Sequence, residues 1–593
     1  MDQLFAAFNS DGYKLGHADM YAHGTSKVYS NLTPRSDRIH RTKSTRYYDG
    51  KLIWIGGQGA IMEIHDQWQT FFAMNKEIAV KQFQGLVDAY LGEGVVSPKR
   101  LEQLHDLGYL PLEIKTLDEG TKVPMGIPVL TITNTVDHAF WLVNFLETLT
   151  SSLTWKTPTN CTIAGEYKAM LKDFAIKTGT PLEAVTFQAH DFSARGMSGP
   201  EDAARSGFAH IAQFLGTDTL TSILYAKKYY GASGFIAASV PATEHAVSSN
   251  NILSIEMALC DEGYEFVTDE QKTIHDKMSA DGHSVRLIAE AMFMYDLIMV
   301  KFPTGIVSYV ADTYDFWAVL TIILPYLRDA IMRREASATT PGKLVIRPDS
   351  GNPVTVVCGM KPVKGGDGKA IDFESEDAAY DYLEHDDNAY HSKDSDCVKI
   401  AGVFYDLEVS FDSDGYWHGC GIDMKVVYPY EVVAGAVRTL YKTFGGTLTE
   451  TGHKMMDSHI GLIYGDSITP QRCLDILEGL EGAGYASGNT VFGVGSYTYQ
   501  CNTRDTFGFA VKATHSIVND TPVAIFKDPK TDSKKKSAKG LLFVGTDEGG
   551  DYVLMDNMTP DLEASKDNYL TVRYKDGNFY NLTSLDEIRA RLA

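Results

Sequence analysis

The chain has 593 residues, 54 Lys plus Arg against 77 Asp plus Glu, and a formal charge of -23; a field of that sign disfavours nucleic acid and anionic membranes as partners, so an anionic substrate must be gripped by local clusters of positive charge. The length exceeds a single core and points to two or three domains. No apolar run reaches the roughly 18 residues of a spanning helix, the start lacks a signal-peptide pattern, and 7 cysteines without a Cys-x-x-Cys pair fit a reducing interior, so a soluble cytoplasmic enzyme is expected.

The opening segment carries Asp11-Gly12-Tyr13-Lys14 and His17, then an alternating run from Thr25 to Leu32 that ends in a Pro34 turn, which reads as a strand. The basic residues behind it, Arg35, Arg38 and Arg41, read as a solvated loop. Gly56-Gly57-Gln58-Gly59 lacks phosphate-loop spacing and is followed by no Gly-Lys-Ser/Thr, so it reads as a turn or a helix-packing contact. A helical pattern runs from Ile61 to Leu107. Strands are expected at Leu112 to Leu117 and Pro128 to Thr133 around a turn at Glu119-Gly120, and one apolar helix from Phe140 to Leu153.

From Val185 onward a repeated grammar appears. Val185-Thr186-Phe187 leads into His190-Asp191-Phe192-Ser193-Ala194-Arg195-Gly196; Phe214-Leu215 leads into Gly216-Thr217-Asp218-Thr219; then comes Ser239-Val240-Pro241-Ala242-Thr243-Glu244-His245. The pattern recurs at Ile306 to Val310 before Asp312, at Leu344 to Ile346 before Arg347 and Asp349, at Ile460 to Tyr464 before Gly465-Asp466, and at Thr490 to Phe492 before Gly493-Val494-Gly495-Ser496. Apolar strands alternating with helices predict a parallel sheet buried on both faces, and enough of them predict a closed barrel.

Between Thr355 and Val426 the grammar breaks among acidic residues such as Asp372, Glu376 and Asp394, and Asp412-Ser413-Asp414-Gly415 suggests a hairpin turn. The spacing is not that of a calcium loop, so a solvated insertion is expected at about 355–425. After Arg504 the strands shorten. Asp547 to Gly550 and Asp576-Gly577 mark hairpins, and Ser584-x-x-Glu587 is a capping box that opens a last helix. This tail is expected to pack with the N-terminal segment as a second domain.

In a barrel of this kind, polar residues at the carboxyl ends of strands converge on one ligand. Phe192, Arg195, Asp218, Ser239, His245, Asp312, Arg347, Asp349 and Asp466 all stand at such ends. Arg195 and Arg347 offer planar forks for phosphate oxygens. Asp349 and Asp466 suit a sugar diol or a water-held magnesium ion. Phe192 supplies a stacking face, and Asp218 accepts from an amide while repelling a carboxylate. Any one of these taken singly is more often an ion pair or a satisfied core residue; together they describe a ligand with a flat nitrogenous ring, a ribose and phosphates.

These stretches resemble the nicotinamide phosphoribosyltransferase family of type II phosphoribosyltransferases over nearly the whole chain apart from the acidic insertion. The likeness rests on Asp11 to Lys14 with His17, Tyr21 and Thr25 to Ser30, on His190 to Gly196, Gly216 to Thr219, Ser239 to His245 and Ala311 to Asp315, and on Ile346 to Pro353, which matches the family's Ile-Arg-Pro-Asp-Ser-Gly-Asn-Pro without a change. The resemblance implies an α/β fold: an irregular TIM-like (β/α) barrel over 156–504, with a second α+β domain built from 1–155 and 505–593. It implies transfer of phosphoribosyl from 5-phosphoribosyl 1-diphosphate to nicotinamide. On that basis Phe192 and a second subunit's Tyr13 sandwich the pyridine of a homodimer, and Asp218 receives the carboxamide. His245, Asp312, Arg347 and Asp349 would be catalytic, and Arg195, Ser239, Val240, Ser308, Gly465, Asp466, Gly495, Ser496 and Arg504 would contact substrate. Lys512 and the Lys527 to Lys539 loop would assist with phosphate. Magnesium held through Asp312 and Asp349, and ATP coupled through phosphorylation of His245, complete the expectation.

The chain departs from the family pattern at Ser193-Ala194, Gly465-Asp466-Ser467 and Gly493 to Ser496, on the phosphate and ribose loops. A nicotinate phosphoribosyltransferase and a non-catalytic nucleotide-binding protein are the alternatives.

Overall fold

A computed structural model of the protein describes residues 4–42, 45–385, 388, 391–411, 417–465, 467–526 and 538–593. The chain divides into two units, one of Met1–Ala169, Asp191–Ala238 and Ser496–Ala593, the other of Met170–His190 and Ser239–Gly495. Among the described residues no helix is long and apolar enough to cross a membrane, and all seven cysteines are free.

The first unit is built on a seven-stranded sheet that takes strands from both ends of the chain. Its order is Thr521–Ala524, Ala510–Val518, Thr25–Thr33, Leu130–Asn134, Leu112–Thr116, Thr571–Lys575 and Asn578–Phe579, with neighbours antiparallel throughout. Alternation explains the pairing, because Val28 and Leu32, Leu112 and Ile114, and Leu130 and Ile132 recur every second or fourth residue and share one core with Ile61, Ile64, Trp68 and Phe71 of the helix Gly57–Phe72. The two expected hairpins form. Ser584 caps the helix Leu585–Leu592 reciprocally with Glu587.

This unit includes 191–238, which divisions at 155 and 504 leave with the barrel. The reason is apolar: Phe208, Tyr225 and Tyr230 of the helices Pro200–Ile211 and Leu220–Tyr230 bury with Ile53 and Ile55 of the N-terminal segment and Leu585 and Ile588 of the last helix.

Some local expectations are corrected. Leu112–Thr116 and Leu130–Asn134 do pair, but the turn at Glu119-Gly120 leads first into Thr121–Pro124, which pairs with Lys51–Trp54 instead. The helix expected from Phe140 to Leu153 is two, Leu142–Phe145 and Glu147–Thr154, broken at Leu146. Val185 to Phe187 belongs to a 3-10 helix, Leu182–Phe187, and the strand is Ala189–Asp191; a run of three apolar residues carries no period by which to tell the two apart.

In the second unit the strands Ile306–Val310, Lys343–Arg347, Ile460–Tyr464 and Thr490–Val494 lie side by side in that order, every pair parallel. Gln188 O accepts from Phe492 N–H at 2.8 Å, which sets the 188–190 segment beside the last of them, and a parallel bridge joins Ala242 to Ser308 at the other edge. These strands are largely buried, as apolar runs in a parallel sheet require.

The insertion is more than a solvated face. Asp372–Phe373, Cys397–Ile400, Val403–Phe411 and Trp417–Tyr428 form a four-stranded sheet, and Phe373, Ala379, Leu383, Val398, Ile400 and Leu407 make it a small core of its own. The acidic residues hide this pattern because they occupy the outward positions between the apolar ones. Asp412 to Gly415 lie outside the described residues, although the strands flanking them pair antiparallel.

Gly56 stands in the left-handed region (φ 89°) just before the helix Gly57–Phe72. The two N–H groups a phosphate would seek there are already taken: the Glu119 carboxylate accepts from Gly56 at 2.8 Å and from Gln58 at 2.5 Å, and it is buried. This is the helix-packing outcome, with a side-chain carboxylate at the positive end of the helix. Removing that acceptor leaves two buried donors unsatisfied. Glu119→Ala is therefore expected to lower the unfolding free energy by about 2–4 kcal/mol, measured by urea denaturation.

Candidate active site

In the second unit, Thr243 fixes the start of the helix His245–Cys260. Its N–H donates to Ser308 O at 3.0 Å, its hydroxyl accepts from Val310 N–H at 2.9 Å, and its carbonyl accepts from Arg347 Nη2 at 3.1 Å. Three adjacent segments are thereby held in register at their carboxyl ends. Asp312, two residues beyond the strand Ile306–Val310, closes the arrangement: its Oδ2 accepts from Asp349 N–H at 2.9 Å and from the Ser350 hydroxyl at 2.6 Å.

Asp312 Oδ1 is buried and, among the described residues, has no hydrogen-bond donor. It lies 3.7 Å from His245 Nε2, and Asp349 Oδ2 lies 4.0 Å from the same nitrogen. On the other side of the ring, Nδ1 is 3.3 Å from the Thr313 hydroxyl. The Asp312 side chain is 6% exposed and that of His245 50%, so a buried carboxylate addresses an imidazole that is open to a ligand. An imidazole placed this way can accept and release a phosphoryl group or hold a proton while the carboxylates fix its orientation.

Among the described residues Arg347 donates one of its five N–H groups, to Thr243 O, and its Nε is buried without an acceptor. Gly465 follows the strand Ile460–Tyr464 and packs tightly on the same residues: a Cβ there would stand 2.6 Å from Asp349 Oδ1 and 3.4 Å from Arg347 Cδ. Tyr464 OH lies 2.9 Å from both Ser350 O and Gly351 O, bracing the Asp349 loop from beneath. Of the other expected contacts, Ser239 is exposed, Val240 and Gly495 are half-buried, and Ser308 is buried and bonds through its backbone. Asp466 lies outside the described residues.

The first unit holds the remaining expected residues. Asp191 is fully buried and its Oδ1 accepts from Ser193 N–H at 2.9 Å, a turn that leaves Phe192 half-buried and carries Arg195 into an exposed 3-10 turn. Asp218 N–H donates to Asp191 O at 2.9 Å, which makes the ring of Phe192 and the exposed carboxylate of Asp218 products of neighbouring strand ends. His210 supports that edge. Its Nε2 is 3.1 Å from Gly216 O and its Nδ1 is 2.8 Å from Tyr499 OH; because a carbonyl only accepts, Nε2 carries the hydrogen and Nδ1 accepts from the phenol. Gly196 approaches the helix Ser496–Gln500 so closely that a Cβ would lie 2.2 Å from Ser496 Oγ. Arg504 is exposed beside Asp505, Lys512 is 3.9 Å from Glu147, and Tyr13 is 66% exposed. Lys527, Lys534, Lys535 and Lys536 fall outside the described residues.

Thr243, Thr313, Ser350 and Tyr464 are absent from the sequence reading as site residues. They act through contacts between separate segments that no spacing rule encodes. Among the described residues no group of three His, Cys, Asp or Glu is arranged to hold a metal ion. Asp312 and Asp349 offer two carboxylates, one with an unpartnered buried oxygen, and this fits magnesium, which takes one or two protein carboxylates and completes its shell with water and phosphate oxygens.

Parallel strands whose ends present an imidazole, two carboxylates and a guanidinium define an α/β protein equipped for a phosphorylated sugar. The chain belongs to the nicotinate phosphoribosyltransferase (NAPRTase) family, whose model matches residues 187–578. It is 41% identical over 586 residues to a nicotinamide phosphoribosyltransferase of Acinetobacter baylyi, covering 98% of this chain and 96% of the relative. It is 28% identical over 550 residues to a nicotinamide phosphoribosyltransferase of Mycoplasma pneumoniae, covering 89% and 93%. A solved structure of human nicotinic acid phosphoribosyltransferase is similar with a TM-score of 0.49 and 13% identity, over 98% of this chain and 92% of that one.

Two outcomes follow from this geometry. Gly465→Ala is expected to push Asp349 aside and lower kcat/KM by about 100-fold while the unfolding midpoint stays close to wild type, as steady-state kinetics beside a melting curve will show. Behind the strand Ile306–Val310, burial pushes the Glu290 carboxyl up to about 7 from 4.5. Between those values the unfolded chain releases a proton that the folded chain keeps, so rising pH favours unfolding there and the loss is complete above pH 7. The loss is of order 3 kcal/mol, and comparing urea unfolding of wild type and Glu290→Gln across that window should show the slope flattened in the variant.

Proposed function

We propose that the chain catalyses transfer of the phosphoribosyl group from 5-phosphoribosyl 1-diphosphate to nicotinamide. The lone pair of the pyridine nitrogen forms the new bond to the anomeric carbon as the bond from that carbon to the diphosphate oxygen breaks. Nicotinamide mononucleotide and diphosphate are the products, and no proton needs to be moved. Positive charge builds on the ribose and negative charge on the leaving group, so positioning and electrostatics do most of the catalysis.

The observation that supports the choice of substrate is the hydrogen bond from Asp218 N–H to Asp191 O, which sets the backbone of Asp218 beside the residue that precedes Phe192. A stacking face beside a carboxylate accepts the amide of nicotinamide and repels the acid of nicotinate. Identity of 41% to a relative of that name over nearly the full chain supports the same reading.

The roles then divide by chemistry. Phe192 stacks on the pyridine, with Tyr13 contributed by a second subunit of a homodimer. Arg195, Arg347, Ser496 and Arg504, with Lys512, face phosphate oxygens. Asp349, Asp466 and Gly465 take the ribose, and Ser239, Val240, Ser308 and Gly495 shape the surrounding walls. Magnesium bound at Asp312 and Asp349 would neutralise diphosphate charge. His245 would take the γ-phosphoryl group of ATP, releasing ADP, with Asp312 orienting the ring, so that hydrolysis drives synthesis. The fold that accompanies this activity is the irregular TIM-like barrel of type II phosphoribosyltransferases, in a cytoplasmic enzyme.

Incubation with nicotinamide, 5-phosphoribosyl 1-diphosphate and magnesium, with and without ATP, should yield the mononucleotide, and ATP should raise its yield. Nicotinate consumed in preference would favour the nicotinate enzyme, and no turnover of either base would favour a binding protein. Asp218→Asn should shift the nicotinate-to-nicotinamide ratio of kcat/KM upward by about tenfold or more; an unchanged ratio removes Asp218 from the specificity argument.

A further inference from the structure

Side chains along the strand Ile306–Val310 alternate between the two faces of the sheet, so Tyr309 lies on the face opposite to the side chains of Ser308 and Val310, whose backbones bond to Thr243. There it is fully buried and donates its hydroxyl to Glu290 Oε1 at 2.8 Å. Glu290 belongs to the helix Val285–Asp296 and is itself 1% exposed. The same phenol oxygen faces the Ser248 hydroxyl, which is buried in the first turn of the helix His245–Cys260 and forms no hydrogen bond of good geometry. One phenol therefore touches a carboxyl on one helix and the first turn of another, and sits on the strand that leads within three and four residues to Asp312 and Thr313. Those two side chains are contacts of the His245 ring.

We propose that Tyr309, held by Glu290, is a positioning residue for His245: from behind the strand it sets how the imidazole meets Asp312, Asp349 and Thr313. The inference rests on the phosphoryl-accepting role given above to His245. Its geometry is separate from that role, because Tyr309 and Glu290 are both buried and neither is among the contacts of the His245 ring, which are Asp312, Asp349 and Thr313.

A consequence in pH follows. The groups facing Glu290 are the Tyr309 hydroxyl and, at longer range, the carboxylate of Asp315; Tyr309 in turn faces Tyr314. With the carboxyl neutral, the phenol makes an ordinary hydrogen bond to it. Once the carboxyl ionises, the bond becomes charge-assisted and shorter, Asp315 is repelled, and the phenol is drawn toward Glu290 and away from Ser248. Burial pushes the Glu290 carboxyl up to about 7, so this change falls near neutral pH.

The full-length protein and the variants Glu290→Gln and Tyr309→Phe test this, with melting curves to show that each folds. Two measurements are made from about pH 6 to about pH 9. The first is mononucleotide formation with and without ATP. In the wild type the stimulation by ATP should change slope near pH 7, and Glu290→Gln should remove that inflection. Tyr309→Phe should lower the ATP-stimulated rate about tenfold or more while the KM for nicotinamide and the rate without ATP hold. The second is the rate of diethyl pyrocarbonate labelling of His245, resolved by peptide mass spectrometry with the exposed residue His23 as reference. This reads the imidazole without any turnover, and it should change severalfold in Tyr309→Phe, with the pH inflection lost in Glu290→Gln. Wild-type labelling and wild-type ATP stimulation in both folded variants would overturn the proposal. Labelling that responds in a protein unable to make the mononucleotide would uphold the positioning role and discard the reaction instead.

Discussion

The carboxylate of Asp312 is the constraint on which the second unit's site depends. A buried carboxylate is stable only when its oxygens are satisfied, and one of them is: Oδ2 takes the Asp349 N–H and the Ser350 hydroxyl. Oδ1 has no such partner and looks toward His245. The asymmetry has a structural and a chemical side. The satisfied oxygen fixes the loop after the strand Lys343–Arg347, which carries Asp349. The unsatisfied one leaves strong acceptor capacity beside the imidazole, available to a proton, a cation or the ring itself. An asparagine in this place would keep much of the shape and lose the charge that faces the ring.

The strands were legible in the sequence wherever an apolar run of five residues met an abrupt polar stop, as at Ile306 to Val310 and Ile460 to Tyr464. Burial on both faces of a parallel sheet demands such runs, and solvent at the strand ends terminates them. The same rule failed at Val185 to Phe187, where three residues carry no period, and the true strand, Ala189–Asp191, contains a histidine and an aspartate. It failed differently in the insertion, where apolar residues such as Ala379 and Leu383 are interleaved with acids. Composition recorded the acids, whereas the fold is decided by the spacing of the rest. Residues that act across elements were out of reach for a deeper reason: the contact of Thr313 with His245 spans 68 positions, and no local pattern distinguishes that threonine from another.

Charge raises a separate question, since a protein with a formal charge of -23 is assigned a substrate bearing several phosphates. The long-range field opposes the encounter, but at physiological ionic strength it is screened within about 8 Å. What decides binding is then the local set of donors, and here the backbone matters as much as the guanidinium groups. Arg347 reaches Thr243 O with one nitrogen and so keeps its direction before any ligand arrives. A fork whose orientation is already fixed loses little entropy on binding, and this lets a few arginines outweigh many distant acids.

Strand alternation also explains how such a site can be tuned from behind. Along Ile306–Val310, the residues beside Tyr309 bond to the segment that carries His245, while Tyr309 itself enters the helical layer. In a sheet covered on both faces, a displacement in the outer layer cannot be absorbed by solvent and has to pass through the close-packed strand. Glu290 is the one group in that contact whose charge changes near neutrality. A change there is felt first by Tyr309, then by the strand end bearing Asp312 and Thr313 and by the first turn of the helix bearing His245. An outer-layer carboxyl and a site imidazole are thus mechanically adjacent although no hydrogen bond joins them.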